Sequence, residues 1–236
     1  MTLKTPLFSV AIATLLLAAG TQANAALNTS TSFGAMSGQA GAYTINFGAN
    51  QVINNSSSIV GSSAPNDVIY SGAAQGNSFQ YVDGGLYNNT ALISGVAARP
   101  VGSTGNYLSV GNSGTSSGPT TLTFTQGLSY FGFLWGSPDA YNQVTFWNGN
   151  TQLGSYNGSA VLAPPNGDQS FASFFNVSTI GNDVITKVTF ASNGMAFETD
   201  NHAFVTAVPE PETYAMMLAG LGLMASIARR RKSRNV

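Results

Sequence analysis

Cysteine is absent from the 236-residue chain. Disulfide scaffolds, thiol nucleophiles and cysteine-ligated zinc or iron–sulfur centres are excluded with it. Charge is scarce as well. Only 7% of the residues are Asp, Glu, Lys or Arg, against about 25% in an average soluble domain. Most of the basic charge is gathered at one end: five of the eight Lys and Arg residues are Arg229, Arg230, Arg231, Lys232 and Arg234. Residues 26–208 hold only Arg99 and Lys187 against seven acids. A body of that sign lacks the basic patch that neutralises phosphates, which excludes nucleic acid as a partner. Histidine occurs once, at His202, so Ser–His–Asp catalysis would rest on a single ring. Apolar residues are plentiful, with 43% hydrophobic and 11% aromatic. The chain can therefore bury a core and is not disordered in the usual highly charged sense.

Both ends carry targeting signals. Lys4 precedes an apolar stretch over residues 7–19, and Ala23-Asn24-Ala25 gives the small–x–small pattern before a cut at Ala26. Residues 1–25 are read as a secretory signal helix, handled by the secretion machinery and signal peptidase and set aside from fold reasoning. At the other end Pro209-Glu210-Pro211 precedes an apolar run, Tyr214 to Ala228, and then the basic cluster at 229–234. The two prolines remove backbone donors and favour an extended stretch. Fifteen apolar residues rise about 22 Å as a helix, short of a hydrocarbon core near 30 Å. Snorkelling arginine stems and local thinning make a single short transmembrane helix feasible. The cations after it set a cytoplasmic C-terminus by the positive-inside rule, leaving the body outside the inner membrane.

The order of these parts resembles the PEP-CTERM sorting signal: Pro209, Glu210 and Pro211, then the apolar segment 214–228, then the Arg-rich tail. The resemblance implies a protein of a Gram-negative, matrix-forming bacterium. It would be anchored briefly in the inner membrane and processed by a membrane-embedded exosortase, ending at the cell surface or outside the cell. An ordinary single-span anchor that is never cut is the competing reading of segment 208–236.

Between residues 26 and 207 the apolar period is two, the signature of strands. Tyr43, Ile45 and Phe47 alternate with small or polar residues; so do Leu122 and Phe124, Val144 and Phe146, and Val188 and Phe190. Asn-Gly pairs at 148–149, 157–158, 166–167 and 193–194 are hairpin-turn signals. The expected fold is all-β, a β-sandwich or jelly-roll-like body best defined over 120–207.

The densest stretch runs from Tyr130 through Trp135, Ser137 and Asp139 to Asn142, with a strand over Gln143–Asn148 after it and a last strand over Ala196–Val205. Together these resemble a subgroup of exosortase-dependent surface proteins, which implies an extracellular β domain and no known reaction. Glu198 and Asp200, spaced i,i+2, are expected on one face of that last strand. With Asn201 they supply hard oxygens for a structural Ca²⁺, the one cofactor entertained, although the segment alone falls short of six to eight ligands. The competing reading is that they solvate an outer face. Tyr141 in a turn and Trp147, opposite to Val144 and Phe146, are candidate glycan contacts; a second layer covering them is the alternative. Trp135 reads as core. The expected function is non-enzymatic: a structural or adhesive protein of the surface or extracellular matrix, in contact with exopolysaccharide or biofilm. The alternatives are a carbohydrate-binding module, or a secreted polysaccharide hydrolase using Asp139, Glu198 or Asp200 as acid and base.

Overall fold

The computed structural model describes residues 27–47, 51–53, 67–74, 77–82, 85–87, 92–111, 119–208 and 217–225. Fifteen strands lie among them. The first nine are β1 (Leu27–Ser32), β2 (Tyr43–Asn46), β3 (Gln51–Ile53), β4 (Asp67–Ala74), β5 (Asn77–Val82), β6 (Gly85–Tyr87), β7 (Leu92–Ile93), β8 (Ala97–Ala98) and β9 (Tyr107–Val110). The long β10 (Thr120–Gly136) follows, then β11 (Asn142–Asn148), β12 (Thr151–Asn157), β13 (Ala172–Thr179), β14 (Ile185–Ser192) and β15 (Phe197–Thr206). Before residue 208 the helical content of the described residues is a single 3₁₀ turn, Gly158–Ala160, so the all-β expectation holds.

The two-layer arrangement expected of a sandwich is made by one continuous sheet curled on itself, close to a barrel. The cause is β10, whose 17 residues are long enough to serve two halves. Its first part, Thr120–Phe124, lies between β14 and β5. Its second part, Tyr130–Gly136, lies between β13 and β15. One half therefore continues through β14, β11 and β12, and the other through β13 and β1. The two outer edges come together where Leu27 of β1 rests on Gly154 of β12; a β-carbon added there would sit 3.0 Å from Leu27 Cδ1.

The burial along β10 follows from this. Leu122 and Phe124 are buried while Thr123 and Thr125 are exposed, the alternation of a one-faced strand. From Tyr130 onward every residue is buried, because both faces are covered. Inward, Phe131, Phe133 and Trp135 join Phe146, Phe175, Phe190 and Phe197 in the aromatic core. Outward, Tyr130 and Leu134 pack with Phe174 and Ala203 beneath Ala35 and Ala42 of the N-terminal arm. There the Ser37 and Tyr130 hydroxyls lie 2.7 Å apart.

Of the four Asn-Gly signals, only 148–149 closes a hairpin between paired strands, β11 and β12, with Gly149 at φ 56°. Asn157 instead caps the 3₁₀ turn, its side chain accepting from Ser159 N–H at 3.2 Å. Within the expected segment 214–228 the described residues, 217–225, are helical, and no described helix is long and apolar enough to cross a membrane. The sequence-marked residues Ala23, Ala25, Ala26, Pro209, Glu210, Pro211, Arg229, Arg230, Arg231, Lys232 and Arg234 lie outside the described residues.

Candidate functional site

The antiparallel register of β10 and β15 pairs Gly136 with Glu198. That pairing carries the chain leaving β10, Ser137-Pro138-Asp139, to the start of β15, although Asp139 and Glu198 are 59 positions apart. Between them opens a cavity of about 250 Å³ lined by both carboxylates.

Glu198 is the buried member, 3% exposed. Its Oε1 accepts from Ala98 N–H at 3.0 Å and its Oε2 from the Ser137 hydroxyl at 2.9 Å. Burial pushes its pKa up to about 7, further than those two donors pull it down, and the nearby negative charge of Asp139 acts in the same direction as burial. Asp139 is half-buried and its carboxylate rests against Gly167. That glycine is at φ 64°, and a β-carbon there would lie 2.6 Å from Asp139 Oδ1. Only glycine suits both the left-handed backbone and that approach. Gly167 N–H donates to the Pro138 carbonyl at 3.1 Å, tying the loop before β13 to the pocket.

Tyr141 also lines the cavity. Its hydroxyl donates to the Met195 carbonyl at 2.9 Å, and its ring lies over Gly194. Desolvation, reinforced by the Asp139 carboxylate, raises its phenolic pKa. The cavity surface is almost wholly polar, so Tyr141 presents its hydroxyl side there rather than a ring face for stacking. Trp147, the other expected glycan contact, is half-buried at the far end of β11. Its ring is covered by the Lys187 ammonium, 4.5 Å from the centroid. Six residues of strand, about 20 Å, separate it from Tyr141, so the two do not form one platform.

Glu198 and Asp200 do share the outward face of β15, as their spacing requires, but that face is covered rather than solvated. Asp200 is fully buried. Its Oδ1 accepts from Asn201 N–H at 2.7 Å, while Oδ2 has no hydrogen-bond partner. The Ser103 hydroxyl, which also neighbours Asp200, donates to the Pro100 carbonyl at 2.9 Å. Burial raises Asp200 to about 7, moderated by the Asn201 N–H and the charge of Arg99. Asn201 donates from Nδ2 to the Ala35 carbonyl at 2.8 Å, and its Oδ1 is buried without a partner. The expected calcium set is thus divided. Both Glu198 oxygens are engaged on the pocket side, while Asp200 and Asn201 offer two unpartnered oxygens elsewhere. Among the described residues no three His, Cys, Asp or Glu gather into a metal-binding group, and two oxygens are well short of a calcium shell.

A β-bulge separates these residues from His202. Gly132 pairs with Ala203 and Leu134 with Asp200, so Asn201 and His202 together oppose Phe133. Asn201 takes φ 49°, and the extra residue turns His202 inward. The ring is fully buried, stacked on Phe190 at 5.0 Å, with Nε2 2.8 Å from Thr199 Oγ1. Burial lowers its pKa to about 3, making it a neutral core residue. Sequence reasoning missed Ser137, Asn166, Gly167 and Gln169 as pocket residues. Only the Asn-Gly signal at 166–167 marked any of them, and as a turn.

Past Thr206 the body ends abruptly. Ala207 N–H donates to the Gly127 carbonyl at 2.8 Å, and Val208 is 82% exposed. A family model for the PEP-CTERM protein-sorting motif matches residues 207–232. The chain carries this sorting motif at its C-terminal end. The motif makes it an exosortase-targeted protein that is exported, held as a membrane-anchored precursor and destined for the surface or the extracellular space. No curated protein and no solved structure matches it.

Proposed function

We propose that this PEP-CTERM protein is a non-catalytic structural or adhesive component of the cell surface or extracellular matrix, in contact with exopolysaccharide. It reaches that location after signal peptidase cuts at Ala26 and exosortase removes the C-terminal segment. The precursor is anchored in the inner membrane with Arg229–Arg231, Lys232 and Arg234 in the cytoplasm. One observation carries the reading: the sorting motif begins at residue 207, where the last strand has just ended at Thr206. A self-contained body with a removable tail is what surface release requires. The chemistry of the body agrees with a non-catalytic role. The one histidine is locked neutral in the core, and both oxygens of Glu198 accept hydrogen bonds from the protein itself. Hydroxyl and amide side chains dominate the polar surface, which suits a hydrated glycan setting.

Intact mass of the protein from culture medium and from membranes tests the reading. A released form beginning at Ala26 and ending between Pro209 and Glu212 is expected. Replacing Pro209 and Pro211 by alanine should leave a full-length precursor in the membrane fraction and reduce the released form at least tenfold. Recovery of only full-length wild-type chain from the inner membrane would reject processing.

A further inference from the structure

The cavity between Asp139 and Glu198 is unexplained by sorting or by core packing. Two carboxylates face it, and no Lys, Arg or His is among the residues lining it. Facing carboxylates without a countercharge repel one another and favour whatever brings positive charge between them. The raised pKa of Glu198 comes chiefly from burial, and the charge of Asp139 adds to it. Asn166 and Gln169 at the exposed rim add amides that both donate and accept hydrogen bonds. At about 250 Å³ the space is just below the usual range for drug-sized ligands, roughly 300–1,000 Å³, and suits a single small ring. Its polar surface disfavours an alkyl stem such as that of lysine. A bare divalent ion fits less well, since calcium requires six to eight oxygens and only two carboxylates line the cavity.

We infer that the cavity binds an amino-sugar unit, a hexosamine with a free ammonium group, placing that group between Asp139 and Glu198 and its hydroxyls against Asn166 and Gln169. Ammonium–carboxylate hydrogen bonds are the stronger, charge-assisted kind and supply the selectivity. This inference goes beyond residence at the surface and does not depend on it: the cavity belongs to the folded body, whether or not the tail is cut.

The test is calorimetric titration of the full-length protein in mild detergent at pH 7. The probes are a glucosamine oligosaccharide, its glucose counterpart, a glucuronate oligosaccharide and calcium chloride. The glucosamine oligomer should bind at least tenfold more tightly than the glucose oligomer, and the glucuronate oligomer should not bind. Asp139→Asn and Glu198→Gln should each weaken glucosamine binding at least tenfold, whereas Trp147→Ala should leave it unchanged. Should Glu198→Gln fail to fold, Asn166→Ala at the exposed rim takes its place, with a loss of three- to tenfold. Equal binding of glucose and glucosamine, binding of calcium alone, no binding of any probe, or loss of binding on Trp147→Ala with Asp139→Asn unaffected would each overturn the assignment. Processing is read from intact mass and is untouched by any of these outcomes.

Discussion

His202, Glu198 and Asp200 lie within five positions on one strand, and burial shifts their proton affinities in opposite senses. Unfolded, they titrate near 6.5, 4.5 and 3.8; folded, near 3, 7 and 7. Between about pH 4.5 and 6.5 the folded chain keeps a proton on each carboxyl that the unfolded chain has lost. It also lacks the imidazole proton that the unfolded chain carries. The carboxyls thus weaken the fold as pH rises, and the histidine weakens it as pH falls. With two against one, stability should decline by about 1.4 kcal/mol per pH unit as pH rises through this window. Urea denaturation at pH 5.0 and 6.5 measures it. Glu198→Gln should make the profile nearly flat, and His202→Gln should roughly double its slope; a flat wild-type profile would refute the balance. A structural histidine was legible from the sequence, since a lone ring makes no triad. Its inward position was not, because the β-bulge at Asn201 sets it, and the tolerance of asparagine for positive φ marks a turn as readily as a bulge.

At the scale of elements, β10 decides the architecture. The period-two alternation was readable in β11, β14 and the first half of β10, where one face is solvated. It vanished over Tyr130–Gly136, where both faces are covered, and there the sequence showed only a buried strand. That the same strand serves both halves follows from its length and neighbours, not from any local pattern. The halves should therefore unfold as one. Phe133 sits at their junction, its ring 5.3 Å from Phe190 of β14 and 5.8 Å from Phe175 of β13. Phe133→Ala should cost about 3–5 kcal/mol. Tryptophan fluorescence, reporting Trp135 and Trp147, and far-ultraviolet circular dichroism should still give one coincident transition. Separated transitions would mean that the halves fold independently. The covered outer face of β15 illustrates the converse. Spacing placed Glu198 and Asp200 together, yet nothing local announced that Ala98, Pro100 and Ser103 would lie over them.

At the scale of the whole molecule, the C-terminal sorting motif was the most legible part, because such signals are read as short linear patterns by other machines. What the fold adds is how little chain separates the body from its tail. Ala207 is still hydrogen-bonded to Gly127, and the seven positions from there to Tyr214 span roughly 24 Å even fully extended. A protease acting on Pro209–Pro211 must work against the folded body. Inserting six Gly and Ser residues after Val208 should speed processing several-fold in a pulse-chase experiment. An unchanged rate would indicate cutting before the body folds.

The bond between Ala207 and Gly127 has a mechanical side. While the tail holds the precursor in place, any tug enters the body through β15. That strand is gripped on one edge by β10 and on the other by β2 and β9. A pull along its axis loads many rungs at once instead of peeling them one after another, so the tether is fastened at a point of the fold well suited to bear strain from flowing surroundings.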